Sequence, residues 1–112
     1  MIFGWFDCTQ VNAFADELVA DLVKRVPPPV IESPAKKTVE RLKRTSDMVF
    51  TRTQAFAREA RPNLYKKAQL GNRVKWALRE AGYPEEFIDA LTYELVTVVT
   101  LYSRRKPASA ST

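Results

Sequence analysis

Lys37, Arg41 and Arg44 stand four and three residues apart, and Arg52 follows about two turns later. Residues at those spacings share one face of a helix, so the cations form a ridge. Such a ridge can neutralise the phosphates of a nucleic acid or meet the carboxylates of a partner protein. It sits in a strongly basic stretch. Residues 36–67 carry ten basic and three acidic side chains, against two and five in residues 1–35 and six and five in residues 68–112. The whole chain of 112 residues nets +5. A local excess of that size attracts polyanions. Aromatic interleaving is poor, because Phe50 and Phe56 fall where a core is expected. Tyr65 is left as a stacking platform for a base. Charge with so little stacking predicts weak, salt-sensitive, sequence-independent binding of nucleic acid.

Other reactive groups are few. Histidine is absent, which excludes His-based triads, metal clusters and proton switches. Cys8 is a lone cysteine without a histidine partner, so neither a disulfide framework nor a Cys–His nucleophile can form. A helix start beside it can acidify the thiol, but its apolar neighbour Phe6 favours a packed, inert group. Asp16, Glu17 and Asp21 place carboxylates one turn apart with no further ligand nearby, and they read as solvated. Glu85 and Glu86 are adjacent rather than convergent. Three glycines cannot build a phosphate-cradling loop. The expectation is a non-enzymatic chain with no catalytic residues, no metal and no cofactor.

The first residues, Met1-Ile2-Phe3-Gly4-Trp5-Phe6, form an apolar arm. Phe3, Trp5 and Phe6 have three placements open to them: across the chain's own bundle, in a partner's groove, or at a membrane interface. The acidic helix behind them disfavours anionic lipid, so at most a peripheral membrane contact is expected. The apolar run lacks a basic n-region and stops at Asp7, unlike a secretory signal. Ile2 excludes N-myristoylation. With no long charge-free segment and one cysteine, a cytoplasmic location is the expectation. Ser33-Pro34-Ala35-Lys36-Lys37 resembles the Ser-Pro-basic segments of minor-groove-binding histone tails. The likeness covers five residues, and a helix N-cap followed by a charged turn accounts for the same letters.

Four helical segments must position these groups. The first spans about Thr9 to Val26, capped by Asp7 or Thr9, with Val11, Phe14, Leu18, Val19, Leu22, Val23 and Val26 on one stripe. Pro27-Pro28-Pro29 ends it and predicts a stiff polyproline II spacer over 27–33. Ser33 and Pro34 then open a helix to about Arg61, before Pro62. Its inward positions alternate by four and three: Ala35, Val39, Leu42, Ser46, Val49, Thr53, Phe56 and Ala60, a thin heptad seam. It either pairs partly between chains or breaks near Ser46-Asp47. The third helix runs from Asn63 to Ala81 with Leu64, Ala68, Gly71, Val74, Leu78 and Ala81 on one side. Gly71 marks a close contact or a break, and Gly82 is placed as a left-handed cap.

Pro84-Glu85-Glu86 opens the fourth helix, which carries Phe87, Ile88, Leu91, Leu95, Val98, Val99, Leu101 and Tyr102 inward. Val96–Thr100 suits a strand by composition but has no second strand to pair with. Arg104-Arg105-Lys106 closes this helix. The turn at Gly82-Tyr83 does not suit a helix-turn-helix, because Glu85, Glu86 and Asp89 would face phosphate. These elements predict an all-α compact bundle of four to five helices with a long, basic second helix. Residues 1–106 form the domain and 107–112 a disordered tail. The leading functional expectation is binding of another protein or self-association. The alternative is an accessory protein binding DNA or RNA through the second helix, with Lys37, Arg41, Arg44 and Arg52 as contacts.

Overall fold

Asp7 starts the first helix. Its Oδ1 accepts the Thr9 backbone N–H at 3.0 Å and the Thr9 hydroxyl at 2.7 Å. The hydroxyl contact, then the amide, hold the Asp7 carboxyl below the ordinary carboxylate range. Cys8 occupies the cap position itself and adds no side-chain bond. The computed structural model describes residues 7–31 and 36–103. Its helices are α1 (Thr9–Arg25), α2 (Pro28–Ile31), α3 (Lys36–Ala60), α4 (Leu64–Ala81) and α5 (Glu85–Tyr102). No strand occurs among the described residues. The expected all-α bundle of four to five helices is present, with α2 a single turn. The arm residues Phe3, Trp5 and Phe6, the Ser33-Pro34 cap, the Arg104-Arg105-Lys106 closure and the 107–112 tail lie outside the described residues.

α1 buries Val11, Leu18, Val19, Leu22 and Val26 of the expected stripe, with Ala15 added to it, while Phe14 and Val23 are half-buried. The proline run departs from the sequence expectation. Pro28–Ile31 forms one helical turn rather than an extended spacer. Proline lacks only an N–H that a first turn does not use, so the first turn of a helix tolerates it.

α3 is continuous through Ser46 and Asp47, and its inward register differs from the predicted seam. Thr38, Thr45, Val49, Thr53 and Ala57 are buried, whereas Val39 is 55% exposed and Ser46 is exposed. A straight helix repeats every 3.6 residues and drifts from a 3.5-residue heptad. Stepping back from Val49 by that period reaches positions 45, 42 and 38, which are the inward ones observed. Thr38 and Thr45 carry no apolar signal of their own, whereas Leu42 lies in both registers. After α3, Arg61 adopts a left-handed φ of 44, and Pro62 cannot continue the helix.

Asn63 caps α4 by accepting the Lys66 N–H at 2.8 Å. Leu64 is 76% exposed and Ala68 is exposed, contrary to the predicted stripe, while Leu70 is fully buried. α4 packs against both α1 and α5, so its inward surface is wider than one stripe and takes Leu70 and Gly71 together. Gly71 does not break the helix. A methyl there would stand 3.1 Å from Val96 Cγ2, so it permits a close approach of α5. Gly82 ends α4 at φ 98, as expected. The Thr97 and Thr100 hydroxyls donate to the carbonyls of Tyr93 and Val96 at 2.8 and 2.9 Å. Those bonds accommodate β-branched residues inside α5. Leu101, expected inward, is 56% exposed.

The long helices pack in the order α1, α4, α5, α3 and back to α1, and the α3–α1 edge is the sparsest of the four. Gln69 donates to Asn12, Arg73 to Asp16, and Tyr83 to Val26, each pair separated by 57 residues. A constant offset requires α1 and α4 to run parallel. Arg52 meets Asp21 while Phe56 stacks on Phe14, so α3 runs antiparallel to α1. The chain between α3 and α4 therefore crosses the end of the bundle diagonally.

Candidate functional site

The α1–α3 edge carries the candidate site. Lys24 and Arg25 lie in the last turn of α1, where cations complement the helix dipole. α3 runs back beside them and contributes Arg41 and Arg44. Together with Thr45 these residues line an open cleft of about 430 Å3. All four cations are exposed, and the Thr45 side of the cleft is buried. No described carboxylate lies within 4.0 Å of any of the four.

Three arginines elsewhere are paired with carboxylates. Arg52 Nη1 donates to Asp21 Oδ2 at 2.6 Å and its Nη2 is 4.0 Å from Glu17. Arg73 grips Asp16 through two bonds of 2.9 and 2.8 Å. Arg79 does the same to Glu85 at 3.0 and 3.2 Å. The Arg73 hydrogen bond holds the Asp16 carboxyl below its ordinary range, and Arg79 acts likewise on Glu85. Thus Asp16, Glu17 and Asp21, expected as simply solvated, tie α1 to α3 and α4 at the bundle surface. Exposed pairs of this kind are screened by water and contribute little each.

The predicted contact residues are therefore divided. Arg41 and Arg44 line the cleft, Lys37 is exposed on α3 a turn away, and Arg52 is bound to Asp21. Lys24 and Arg25 were missed as site residues. Counting charge along the chain assigned them to an acidic segment, and the antiparallel packing of α1 on α3 brings them to the basic one. Trp76 was also missed as an exposed aromatic. It is 59% exposed on α4 between Arg73 and Arg79. Its place two residues from inward Val74 and Leu78 already directs it outward. Tyr65 is 47% exposed.

A second cleft of about 220 Å3 opens beside the first. Leu22 of α1, Leu42, Ser46 and Val49 of α3, and Phe87 and Leu91 of α5 form its walls, and Thr45 lines both clefts. Small side chains at Thr45 and Ser46 leave this space between α3 and α5.

The Gly82-Tyr83 turn joins helices that lie antiparallel along their lengths. Gly71 faces Val96, and Lys75 lies 3.7 Å from Asp89. A crossing of about 90–120°, as in a helix-turn-helix, is a different arrangement. Among the described residues, no three acidic or thiol side chains gather where they could hold a metal ion. No described helix is long and apolar enough to cross a membrane. Comparison with protein-family models, with curated proteins and with solved structures finds no match to this chain.

Proposed function

We propose that this chain is a non-enzymatic helical protein that binds another protein, receiving acidic side chains of that partner in the cleft between α1 and α3. The long, basic helix α3 serves as the principal cation-bearing element. One observation carries the reading. Lys24, Arg25, Arg41 and Arg44 converge on one concavity with no described carboxylate in reach, while Arg52, Arg73 and Arg79 are each paired within the chain. Unpaired like charges held side by side repel, and an external anion relieves that repulsion. The concave shape and the apolar cleft beside it suit a peptide segment. A duplex asks for a continuous ridge of cations along α3, and the Arg52 guanidinium is already turned to Asp21.

The test compares two fluorescein-labelled probes, an acidic peptide and a duplex DNA, with the wild type and with the Lys24→Glu/Arg41→Glu/Arg44→Glu variant. The peptide is expected to bind the wild type, weaken as salt rises to about 0.15 M, and lose the triple variant. The far-UV circular dichroism of the variant should be unchanged, because exposed substitutions usually alter stability by about 0.5 kcal/mol or less each. Tighter binding of DNA than of the peptide at equal salt would transfer the cleft to nucleic acid. Salt-insensitive binding, or none, would overturn the proposal.

A further inference from the structure

We infer that the partner segment is amphipathic: beside its acidic residues it carries one large apolar side chain, which enters the cleft between α3 and α5. The inference rests on the reading of the basic cleft as an acid-binding site and names what else the partner must bring. Three observations carry it. The two clefts share Thr45, so a segment lying over the four cations continues directly onto the apolar walls. Apart from Thr45 and Ser46, those walls are Leu22, Leu42, Val49, Phe87 and Leu91, which carry no charge for a carboxylate or a phosphate and offer an apolar group dispersion and release of water. The volume, about 220 Å3, lies below the roughly 300–1,000 Å3 of pockets for drug-sized ligands. A single side chain matches it better than an extended small molecule.

Charge sets the direction of the segment. Its acidic end lies over Lys24, Arg25, Arg41 and Arg44. Its apolar residue lies toward α5, whose first turn carries Glu85 and Glu86 and would repel further acid. The basic cleft occupies the sparsest edge of the bundle, between α1 and α3, where an added segment would complete packing those helices leave open, and the apolar cleft continues from it toward α5.

Three labelled peptides test the inference against the full chain: one with acidic residues and a leucine, one with the leucine replaced by serine, and one with the acids replaced by glutamine. The first is expected to bind about tenfold tighter than the second, a difference of ~1.4 kcal/mol, and the third to lose salt dependence. Ser46→Leu fills the apolar cleft from an exposed position and should bring the ratio of the first two to about one, leaving the acid-only peptide unaffected. Arg41→Glu/Arg44→Glu should weaken both acidic peptides together. A second measurement needs no variant. With the wild type, affinity should climb as the apolar residue grows from alanine through valine to leucine.

A ratio near one in the wild type, or a flat size series, would overturn the inference while leaving the acid-binding reading intact. No acid-dependent binding at all would remove that reading first. If replacing Phe3, Trp5 and Phe6 by serine raised peptide affinity tenfold or more, the apolar cleft would be the seat of the chain's own arm. If the chain dimerised and the peptide dissociated the dimer, its occupant would be a second copy. Either outcome would overturn the inference.

Discussion

Tyr83→Phe removes one oxygen atom and tests how α1 is held against the turn between α4 and α5. The Tyr83 hydroxyl donates to the Val26 carbonyl at 2.6 Å, and the two residues are 5% and 0% exposed. Val26 follows the last turn of α1, where carbonyls lack helical partners. The next three residues are prolines, which bring no N–H. The tyrosine hydroxyl supplies the donor that this stretch of backbone lacks. Phenylalanine keeps the ring and its contact with Phe87, 4.9 Å away between centroids, so the loss isolates the hydrogen bond. Leaving a buried acceptor unsatisfied costs ~1–3 kcal/mol. Each kcal/mol lowers the Tm of a domain of this size by about 4 °C.

The same hydroxyl predicts a pH dependence. Burial pushes the Tyr83 phenol pKa up to about 12, whereas an unfolded tyrosine loses its proton near pH ~10. Between those values the folded chain holds the proton and the unfolded chain does not. The contribution of Tyr83 is therefore complete below about pH 10 and is lost as pH rises toward about 12. Urea unfolding followed by far-UV circular dichroism should show the wild type ahead of Tyr83→Phe at neutral pH, with the gap narrowing in alkali. Equal stability at neutral pH would refute the reasoning. A gap that stays constant into alkali would show that the phenol is not the titrating group.

Two further substitutions test packing. Thr53 is 1% exposed and its hydroxyl has no partner among the described residues, so Thr53→Val should stabilise the chain by ~1 kcal/mol in the same urea titration. A loss of stability would mean that the hydroxyl is satisfied. Gly71→Ala gains about 1 kcal/mol of helix propensity but sets a methyl 3.1 Å from Val96 Cγ2. It should destabilise the wild type and stabilise a Val96→Ala background, and additive effects in that double-mutant cycle would refute close contact.

Sequence legibility followed the strength of each local signal. The ends of α1, α4 and α5 were readable because Asp7, Asn63, Gly82 and Pro84 act on their immediate neighbours. The interior of α1 was readable because its buried residues are mostly large aliphatics. α3 was harder. Its inward line includes Thr38 and Thr45, where the predicted seam put Val39 and Ser46 by following a heptad that a straight helix does not keep; Thr53 falls inward in both registers. Leu64 looks like a core residue by type, yet it stands exposed in the first turn of α4. The candidate site was half legible. Arg41 and Arg44 announce themselves by spacing within one helix, whereas Lys24 and Arg25 join them through tertiary packing between segments of opposite net charge.

The composition that makes α3 a poor core helix also makes its edge a candidate site. A seam of leucines at positions 38, 45 and 53 would pull α3 onto α1 and α5 and close the space beside Thr45 and Ser46. Threonine and serine bury less apolar surface per position, and each unpaired hydroxyl opposes burial. The larger buried side chains of α3 lie toward its C-terminal half, where Val49 and Ala57 are buried and Phe56 stacks on Phe14 at 4.2 Å, while the N-terminal half buries Thr38 and Thr45. Toward its N-terminal half, Leu42 is half-buried and Val39 exposed. The cations Arg41 and Arg44 project from that same half. They meet Lys24 and Arg25 because α1 ends there, at its proline stop. A well-packed seam would stabilise the bundle and close the apolar cleft that a partner would use, so the reading predicts that filling the cleft trades affinity for stability.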